Sequence, residues 1–505
     1  MAVAAVLRLY DLNLVPLHHD EGVNGNFLVA LVRNGFYHYD PANYHGPTLY
    51  YFAAIIPWIL KFLFGTSAQN TYGLTTFMIR LVPVLFGLAT IWLVLLLRRR
   101  LGSVGGLSAA GMLAISPGAV YLSRYFIHET LFVFFTLGIV VAFLKFYEVG
   151  HPIYLILGAV SAALLFATKE TAIISFAVLI LAWASTQIYL RLVGGRKSKR
   201  SLETSIRVLT EKVGGVRRLA VWIFIALAVF VGVNILFYSS FFTNSQGVHD
   251  AIRTFEFWTK TGKGAHVHPF DTYVRDWLFD QESPSLFLGT IGAALILWKP
   301  KNVFVLFSAF WAFGLLAAYS LIAYKTPWLT LNFIVPLALV GGYVFQLLYE
   351  AQWGHLREVC WALALVVAAI SGYQTIQLNF VNYDNDNAYY VYVYAHTRRD
   401  TLKLVDTIDR EAGRLKQGYA TGITIVSPDY WPLPWYLRDY TRVGYFGRMA
   451  DTNEPIIIAS ESQLAEVQQK FGFLYQQVPS NLNASQSFAL RPGVNLILFV
   501  RRDAK

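Results

Sequence analysis

Long apolar runs alternate with short polar breaks over the first 380 or so residues. A run of about 20 apolar residues is long enough to cross a bilayer as a helix. We interpret residues 1–15, which are apolar but short and carry no signal-peptide pattern, as the end of a first span. The other candidate spans are 79–97, 104–122, 130–147, 152–167, 170–190, 219–239, 285–298, 303–323, 329–349 and 358–378. The pattern therefore predicts about eleven spans of this length.

The pattern changes near residue 380, where a stretch rich in Asn and Asp ends the apolar region. Helical spacing returns at 398–415 and 462–471, and short β-rich runs occur at 423–426, 455–459 and 496–500. Helices mixed with short buried strands are typical of a layered α/β unit. We therefore predict a transmembrane domain at 1–380 and a small α/β domain at 381–505.

The segment 48–64 is apolar and aromatic, but it contains Pro57 and Lys61. If it lies along the membrane surface, the loops rich in Lys and Arg all fall on one side, as the positive-inside rule requires. Those loops are 98–103, 145–151, 191–218, 299–302 and 350–357. We therefore predict a juxtamembrane helix at 48–64, a cytoplasmic N-terminus and an extracytoplasmic C-terminal domain in the cell membrane.

Composition supports this interpretation and excludes several classes of protein. Only 14% of residues are charged, against roughly 25% in soluble proteins. The 13 Trp and 30 Tyr suit anchoring at membrane interfaces. The net charge of +11 is concentrated in loops between spans, so we predict no binding of nucleic acid. The single cysteine, Cys360, excludes an intrachain disulfide and a Cys-based metal site.

Ionisable residues are costly near hydrocarbon, so polar clusters at span ends are candidate functional sites. The first such cluster is HHDEG at 18–22. Asp20 and Glu21 are adjacent, so on a helix they point about 100° apart and cannot both face the same atom in the same way. A carboxylate here suits a general base, and Asp20 is the stronger candidate. The alternative is that Asp20 is the N-cap of a helix over 21–33.

Further polar residues follow on the same predicted side. Glu129 begins a span; it could face the substrate or a cation, or simply favour the helix N-terminus. The cations Lys169, Arg124 and Lys325 could hold a phosphate, or anchor the span ends at the interface. Four histidines, His18, His19, His45 and His128, occur here without the spacing of a dedicated zinc site. We count His19, Tyr44, His45 and His128 as candidate substrate-binding residues.

Together these segments carry a resemblance to the GT-C superfamily of membrane glycosyltransferases. The chain is similar to dolichyl-phosphate-mannose–protein mannosyltransferases, and within them to a prokaryotic subgroup labelled flippase-activity-associated. The motifs are HHDEG at 18–22, YHGPTLYY at 44–51, SRYFIHE at 123–129, TKET at 168–171 and YKTPW at 324–328. The resemblance covers roughly residues 1–380.

The resemblance implies a polyprenyl-phosphate-linked sugar donor and an active site at the outer leaflet, where the acidic residue that acts as base maps onto Asp20 or Glu21. Its second acidic position maps onto Glu129, and its phosphate-binding cation onto Lys169. We predict that a hexose or pentose moves from this lipid-linked donor to a protein, glycan or lipid acceptor, with inversion at the anomeric carbon. Mg²⁺ or Mn²⁺ on Asp20 and Glu129 is optional, because a monophosphate leaving group carries little charge.

The chain departs from the family pattern at several positions. It has His45-Gly46-Pro47 where such mannosyltransferases often have His-Pro-Pro, and Glu129 where Asp is common. Its tail lacks the WWDYG motif of oligosaccharyltransferases, which favours transfer of a single sugar. Two alternatives stay open: a flippase or transporter of lipid-linked sugars, and a non-catalytic subunit of a glycosylation assembly.

Overall fold

The chain divides into two compact units. The computed structural model describes residues 1–502 except 44, 66–72, 195–206, 259, 261–265, 353, 388 and 481–485. The first unit comprises Met1–Tyr10, Phe36–Phe52 and Arg80–Val381. The second comprises Asp11–Gly35, Ala53–Ile79 and Asn382–Lys505. The second unit thus combines the stretch from Asn382 with two N-terminal segments, and the domain bounds 1–380 and 381–505 stay a prediction.

The first unit is built of apolar helices. Its longest helices are Thr76–Leu96, which starts in the second unit, Glu129–Val149, Ala172–Gly194, Val216–Tyr238, Val303–Leu321, Leu331–Glu350 and His355–Ile376. Its shorter α-helices are Ala2–Leu9, Arg98–Leu101, Ser103–Ala114, Pro117–Ser123, Pro152–Phe166, Gln246–Trp258, Phe279–Gln281 and Ser283–Trp298. A 3₁₀ turn at Pro327–Thr330 and π-helical turns at Tyr273–Leu278 and Gln377–Val381 adjoin them.

In the part of the chain that the structure describes, seven helices are long and apolar enough to cross a membrane. The number is eight if Ser103–Ala114 and Pro117–Ser123, bent by 60° at their junction, form one broken span. These eight coincide with predicted spans, and the protein is a multi-pass membrane protein. Three further predicted spans are helical but short: Ala2–Leu9, Pro152–Phe166 and Ser283–Trp298.

The segment 48–64 forms one helix, Thr48–Phe64, as predicted. Its 17 residues fall just short of the length of the spanning helices, and whether it crosses the membrane stays a prediction. The membrane orientation of the chain stays a prediction as well. Part of the basic loop that supports it, residues 195–206, lies outside the described residues.

The second unit contains a six-stranded mixed sheet. The strands are β1 (Gly422–Ile425), β2 (Arg442–Tyr445), β3 (Ile456–Ser460), β4 (Tyr475–Val478), β5 (Phe488–Arg491) and β6 (Val494–Arg501). Their order is β2-β1-β3-β6-β4, and β5 also pairs with β6. β1 runs parallel to β2 and β3, and β6 runs antiparallel to its three partners.

Both faces of this sheet are covered, because alternate residues of a strand point to opposite faces. In β3, Ile456 and Ile458 pack with the helix Asp400–Arg414, while Ile457 and Ala459 pack with the helix Leu464–Phe471. Other helices of this unit are His19–Asn34, Leu433–Tyr436, and 3₁₀ turns at Gly418–Ala420 and Glu461–Gln463. The predicted small α/β domain is confirmed.

The buried carboxylate of Glu282 stabilises the bend between the helices Ser103–Ala114 and Pro117–Ser123. Ser116 Oγ and Gly118 N both donate to Glu282 Oε1, each at 2.7 Å. These donors belong to the cap and the first turn of the helix Pro117–Ser123, where a carboxylate is favoured. Burial nevertheless raises the pKa of Glu282 from 4.5 to about 7.

We expect this carboxyl group to make the stability of the first unit pH-dependent. Because the folded protein binds the proton more tightly than the unfolded chain, its stabilising contribution is greatest below pH 4.5 and is lost as the pH rises to about 7. The loss amounts to about 3 kcal/mol. Unfolding of Glu282→Gln in detergent, measured between these pH values, should show a flatter dependence than the wild type. Parallel curves for the two proteins would contradict this assignment.

Candidate functional site

Two predicted motifs of the first unit meet through their backbones. His45 and Lys169 form an antiparallel β-bridge. Gly46 N donates to Thr168 O at 3.0 Å, and Thr48 N donates to Ala167 O at 3.3 Å. The segment HGPT at 45–48 is therefore docked on the segment ATKE at 167–170, although more than 100 residues separate them in sequence.

Gly46 is required for this close approach. A Cβ atom at Gly46 would lie 2.0 Å from the carbonyl oxygen of Ala167, so any other residue would push the two segments apart. His128 Nε2 lies 3.1 Å from Gly46 O, to which it can only donate. The third predicted motif, SRYFIHE, thus joins the same cluster.

At the centre of this cluster is a buried ion pair. Lys169 Nζ donates to Glu129 Oε1 at 2.6 Å, and the two side chains are 6% and 5% exposed. Burial lowers the pKa of Lys169, but the carboxylates of Glu129 and Glu170 outweigh it and raise that pKa above its ordinary value. The pair thus favours the charged form of Lys169, which lies in a polar turn between two apolar helices.

A second acid–base pair adjoins the first. His45 Nδ1 lies 3.1 Å from Glu170 Oε2, and the His45 ring lies 5.0 Å from the ring of His128. Burial, followed by the nearby His45 and Lys169, lowers the pKa of His128 well below its usual value. His128 is therefore neutral, with its proton on Nε2. The cluster formed by His45, His128, Glu129, Lys169 and Glu170 is called the lysine cluster below.

The other two predicted phosphate-binding cations have backbone partners. Arg124 Nη1 donates to the carbonyl oxygens of Leu7, Arg8 and Tyr10 at 3.2, 3.3 and 2.6 Å, which caps the end of the first helix. Lys325 Nζ donates to Ile322 O at 2.5 Å and His268 O at 3.3 Å. Their geometry fits caps of helix ends, so Lys169 is the best-supported candidate for binding phosphate.

In the second unit, HHDEG at 18–22 begins the helix His19–Asn34. The N-cap is His18: its Nδ1 accepts from Asp20 N at 3.1 Å, and Glu21 Oε2 accepts from His18 N at 3.0 Å. The alternative that Asp20 is the N-cap is wrong, because this reciprocal capping box already serves the first turn.

The capping box separates the two adjacent carboxylates by role. Glu21 is fully buried and is used by the cap. The side chain of Asp20 remains 43% exposed and lies in the first turn, where the helix dipole stabilises negative charge. Of the two acids, only Asp20 is accessible to a substrate.

Residues from the sheet domain hold this helix in place. A Cβ atom at Gly22 would lie 2.5 Å from Pro432 Cβ, and one at Gly25 would lie 2.6 Å from the ring of Trp435. Tyr436 Oη accepts from Leu17 N at 2.8 Å. Sequence reasoning missed these contacts; the two glycines spaced three apart on one helix face were the available signal.

Arg491, at the end of β5, also reaches this helix. Its Nη1 lies 3.4 Å from His19 Nδ1, and its Nη2 donates to Asp429 Oδ1. The ring of Trp431 lies 5.9 Å from the ring of His19. Burial lowers the pKa of His19. We call Asp20, His19, Asp429, Trp431 and Arg491 the aspartate cluster.

The remaining predictions concern a metal and Tyr44. Among the described residues, no group of three or more His, Cys, Asp or Glu side chains could hold a metal ion. Asp20 and Glu129, the predicted optional ligands, belong to different units, and Glu129 is paired with Lys169. The optional binding of Mg²⁺ or Mn²⁺ by these two carboxylates stays a prediction. Tyr44 lies outside the described residues.

Comparison with known proteins finds a family similar to part of the chain. Residues 52–197 match the family model described as dolichyl-phosphate-mannose-protein mannosyltransferase. No curated protein matches the chain by sequence. The match includes Glu129 and Lys169 but begins after HHDEG and HGPT.

Solved structures show the same fold over most of the chain. ArnT from Cupriavidus metallidurans bound to undecaprenyl phosphate is 14% identical with a TM-score of 0.58, and the match covers 98% of this chain and 96% of ArnT. The Archaeoglobus fulgidus oligosaccharyltransferase tethered with an acceptor peptide is 13% identical with a TM-score of 0.53, covering 92% of this chain and 68% of that protein. Residues 52–197 are thus similar in sequence to the mannosyltransferase family, and the chain as a whole shares its fold with these two solved structures.

Proposed function

We propose that the protein transfers a single sugar from a polyprenyl-phosphate donor to an acceptor hydroxyl at the outer face of the membrane. The observation that carries this proposal is that the helix cap uses the carboxylate of Glu21, whereas the carboxylate of its neighbour Asp20 stays exposed. An exposed carboxylate beside buried neighbours is suited to accept a proton from a hydroxyl.

In the proposed reaction, Asp20 takes the proton of the acceptor hydroxyl. The acceptor oxygen forms a bond to the anomeric carbon as the bond from that carbon to the phosphate oxygen breaks. The electron pair of the broken bond leaves with the polyprenyl phosphate, and the configuration at the anomeric carbon is inverted. Attack in line with the leaving group requires the two oxygens to lie on opposite sides of that carbon.

The lysine cluster would neutralise the phosphate of the donor. Lys169 keeps its charge because two carboxylates raise its pKa, and one bond to Glu129 leaves further N–H groups of its ammonium to donate. A buried cation binds an anion strongly, since little water screens it. A lipid-linked donor is supported by ArnT, whose structure contains undecaprenyl phosphate. Mg²⁺ or Mn²⁺ stays optional in this proposal.

We expect Asp20→Asn to lower sugar transfer by at least about a hundredfold, because the amide cannot accept the proton. The assay uses purified protein in liposomes, radiolabelled polyprenyl-phosphate sugars, and acceptor from membranes of source cells lacking this protein. Asp451→Asn, a change at an exposed carboxylate of the same unit, is the matched control and should retain transfer.

Undiminished transfer by Asp20→Asn would remove the proposed base. Movement of labelled lipid across the bilayer without transfer would instead support the alternative of a flippase. If the folded wild-type protein shows neither transfer nor lipid movement with any of the radiolabelled polyprenyl-phosphate sugars, the alternative of a non-catalytic subunit is favoured.

We expect Glu129→Gln to destabilise the first unit by about 3–5 kcal/mol, because it leaves the buried ammonium of Lys169 without its nearest carboxylate. The double variant Glu129→Gln, Lys169→Met removes both charges and should recover most of that loss. It should still transfer no sugar, since the cation for the phosphate is gone. Thermal unfolding in detergent and the liposome assay measure the two effects separately.

Two outcomes would contradict this role of the ion pair. A Glu129→Gln protein as stable as the wild type would show that Lys169 does not depend on this partner. Full transfer by the double variant would show that Lys169 does not bind the phosphate.

A further inference from the structure

The aspartate cluster contains a chain of directional contacts from the sheet domain to the predicted catalytic helix. Asp429 accepts from Arg491 Nη2, and Arg491 Nη1 reaches His19 Nδ1 at 3.4 Å. Asp429 follows β1, and Arg491 ends β5, which continues through a tight turn at Gly493 into the central strand β6. The guanidinium group therefore projects from a short strand paired with β6, at an irregularity of the register between Ala489 and Arg491.

The contact assigns the proton of His19. A guanidinium group has only donors, so His19 Nδ1 must be the acceptor in a bond with Arg491. The ring proton of neutral His19 then resides on Nε2, at the opposite side of the ring. His19 is half-buried, so this N–H can donate to a ligand beside Asp20, its neighbour in the first helical turn.

We propose that Asp429 and Arg491 are positioning residues, which hold His19 so that its Nε2–H orients an oxygen of the hydroxyl-bearing acceptor for Asp20. This inference rests on the proposed function and deepens it by assigning to the sheet domain a part in acceptor orientation. The donor is not involved, because its phosphate is assigned to the lysine cluster.

A purely structural role for Asp429 and Arg491 would show as a loss of stability and not as a loss of transfer in a folded protein. The side chains of Asp429 and Arg491 are 44% and 21% exposed, and partly exposed ion pairs contribute little to stability. Removing either charge should therefore leave the protein folded, with an unfolding midpoint within about 4 °C of the wild type. A change in transfer then reports on geometry at His19.

The decisive contrast is between a large acceptor and water. With membranes of source cells lacking this protein as acceptor, Arg491→Gln and Asp429→Asn should lower transfer of radiolabelled sugar by about ten- to a hundredfold, since a misplacement of about 1 Å has such effects. Without acceptor, slow hydrolysis of the same donor should continue at the wild-type rate, because water needs no orientation by His19. Arg491→Lys should not rescue transfer, since one ammonium cannot replace a fork that contacts two partners.

A double-mutant cycle tests whether the pair acts through His19. Transfer by the double variant His19→Gln, Arg491→Gln should be no lower than transfer by His19→Gln alone, because both changes remove one interaction. The matched control is Arg442→Gln, which breaks an ion pair with Glu454 on the edge strand β2 and should leave both rates unchanged.

Three results would overturn this inference. They are wild-type transfer by Arg491→Gln, equal loss of transfer and hydrolysis in that variant, and a further loss when it is added to His19→Gln. Failure of the proposed function is distinct from these, since it would appear as undiminished transfer by Asp20→Asn.

Discussion

A charge that leaves water must find a partner, and this constraint governs the polar part of the first unit. Lys169 and Glu129 meet at 2.6 Å among buried neighbours. Arg124 and Lys325 are buried too, and both donate to carbonyl oxygens at helix ends, which have no partner within the helix. Two kinds of buried cation therefore result. Arg124 and Lys325 donate to backbone carbonyl oxygens, whereas Lys169 donates to a carboxylate.

This distinction connects packing to chemistry. A cation spent on backbone carbonyls stabilises a bend or a helix end, and its geometry is complete without a ligand. Lys169 instead lies in a cluster whose other members are two carboxylates and two imidazoles, brought together because Gly46 lets two backbones touch. Close backbone approach at one glycine is thus the condition for the electrostatics of the whole cluster.

In the second unit, hydrogen bonding at the start of a helix gives two neighbouring acids different surroundings. His18 and Glu21 satisfy the first turn of the helix, and Asp20 is left in the positive field of that turn. The sheet domain supplies the surroundings of this helix through Trp435, Tyr436 and Arg491. The segment HHDEG, which the sequence pattern assigns to the transmembrane domain, is therefore held by residues some 400 positions away in the chain.

The prediction of secondary structure succeeded where one dominant signal was present. Spans were found because about 20 successive apolar residues have few alternatives to a membrane helix. The strands β1, β3 and β6 were found because their residues are apolar and β-branched. By contrast β2, β4 and β5 have four residues each and polar or mixed sequences. Such strands form because a neighbouring strand offers hydrogen bonds, which no local pattern records.

What the sequence determined by itself was the membrane class, the positions of the helices, the small α/β domain and the polar segments worth attention. These follow from local composition and periodicity, which act through burial of apolar surface. What only the tertiary structure decided was which polar residues meet: Lys169 with Glu129, His45 with Glu170, and Arg491 with His19. It also decided that His18, and not Asp20, caps the helix His19–Asn34. Pairing between distant residues depends on distances and directions of single hydrogen bonds, and these are defined only when the chain has folded.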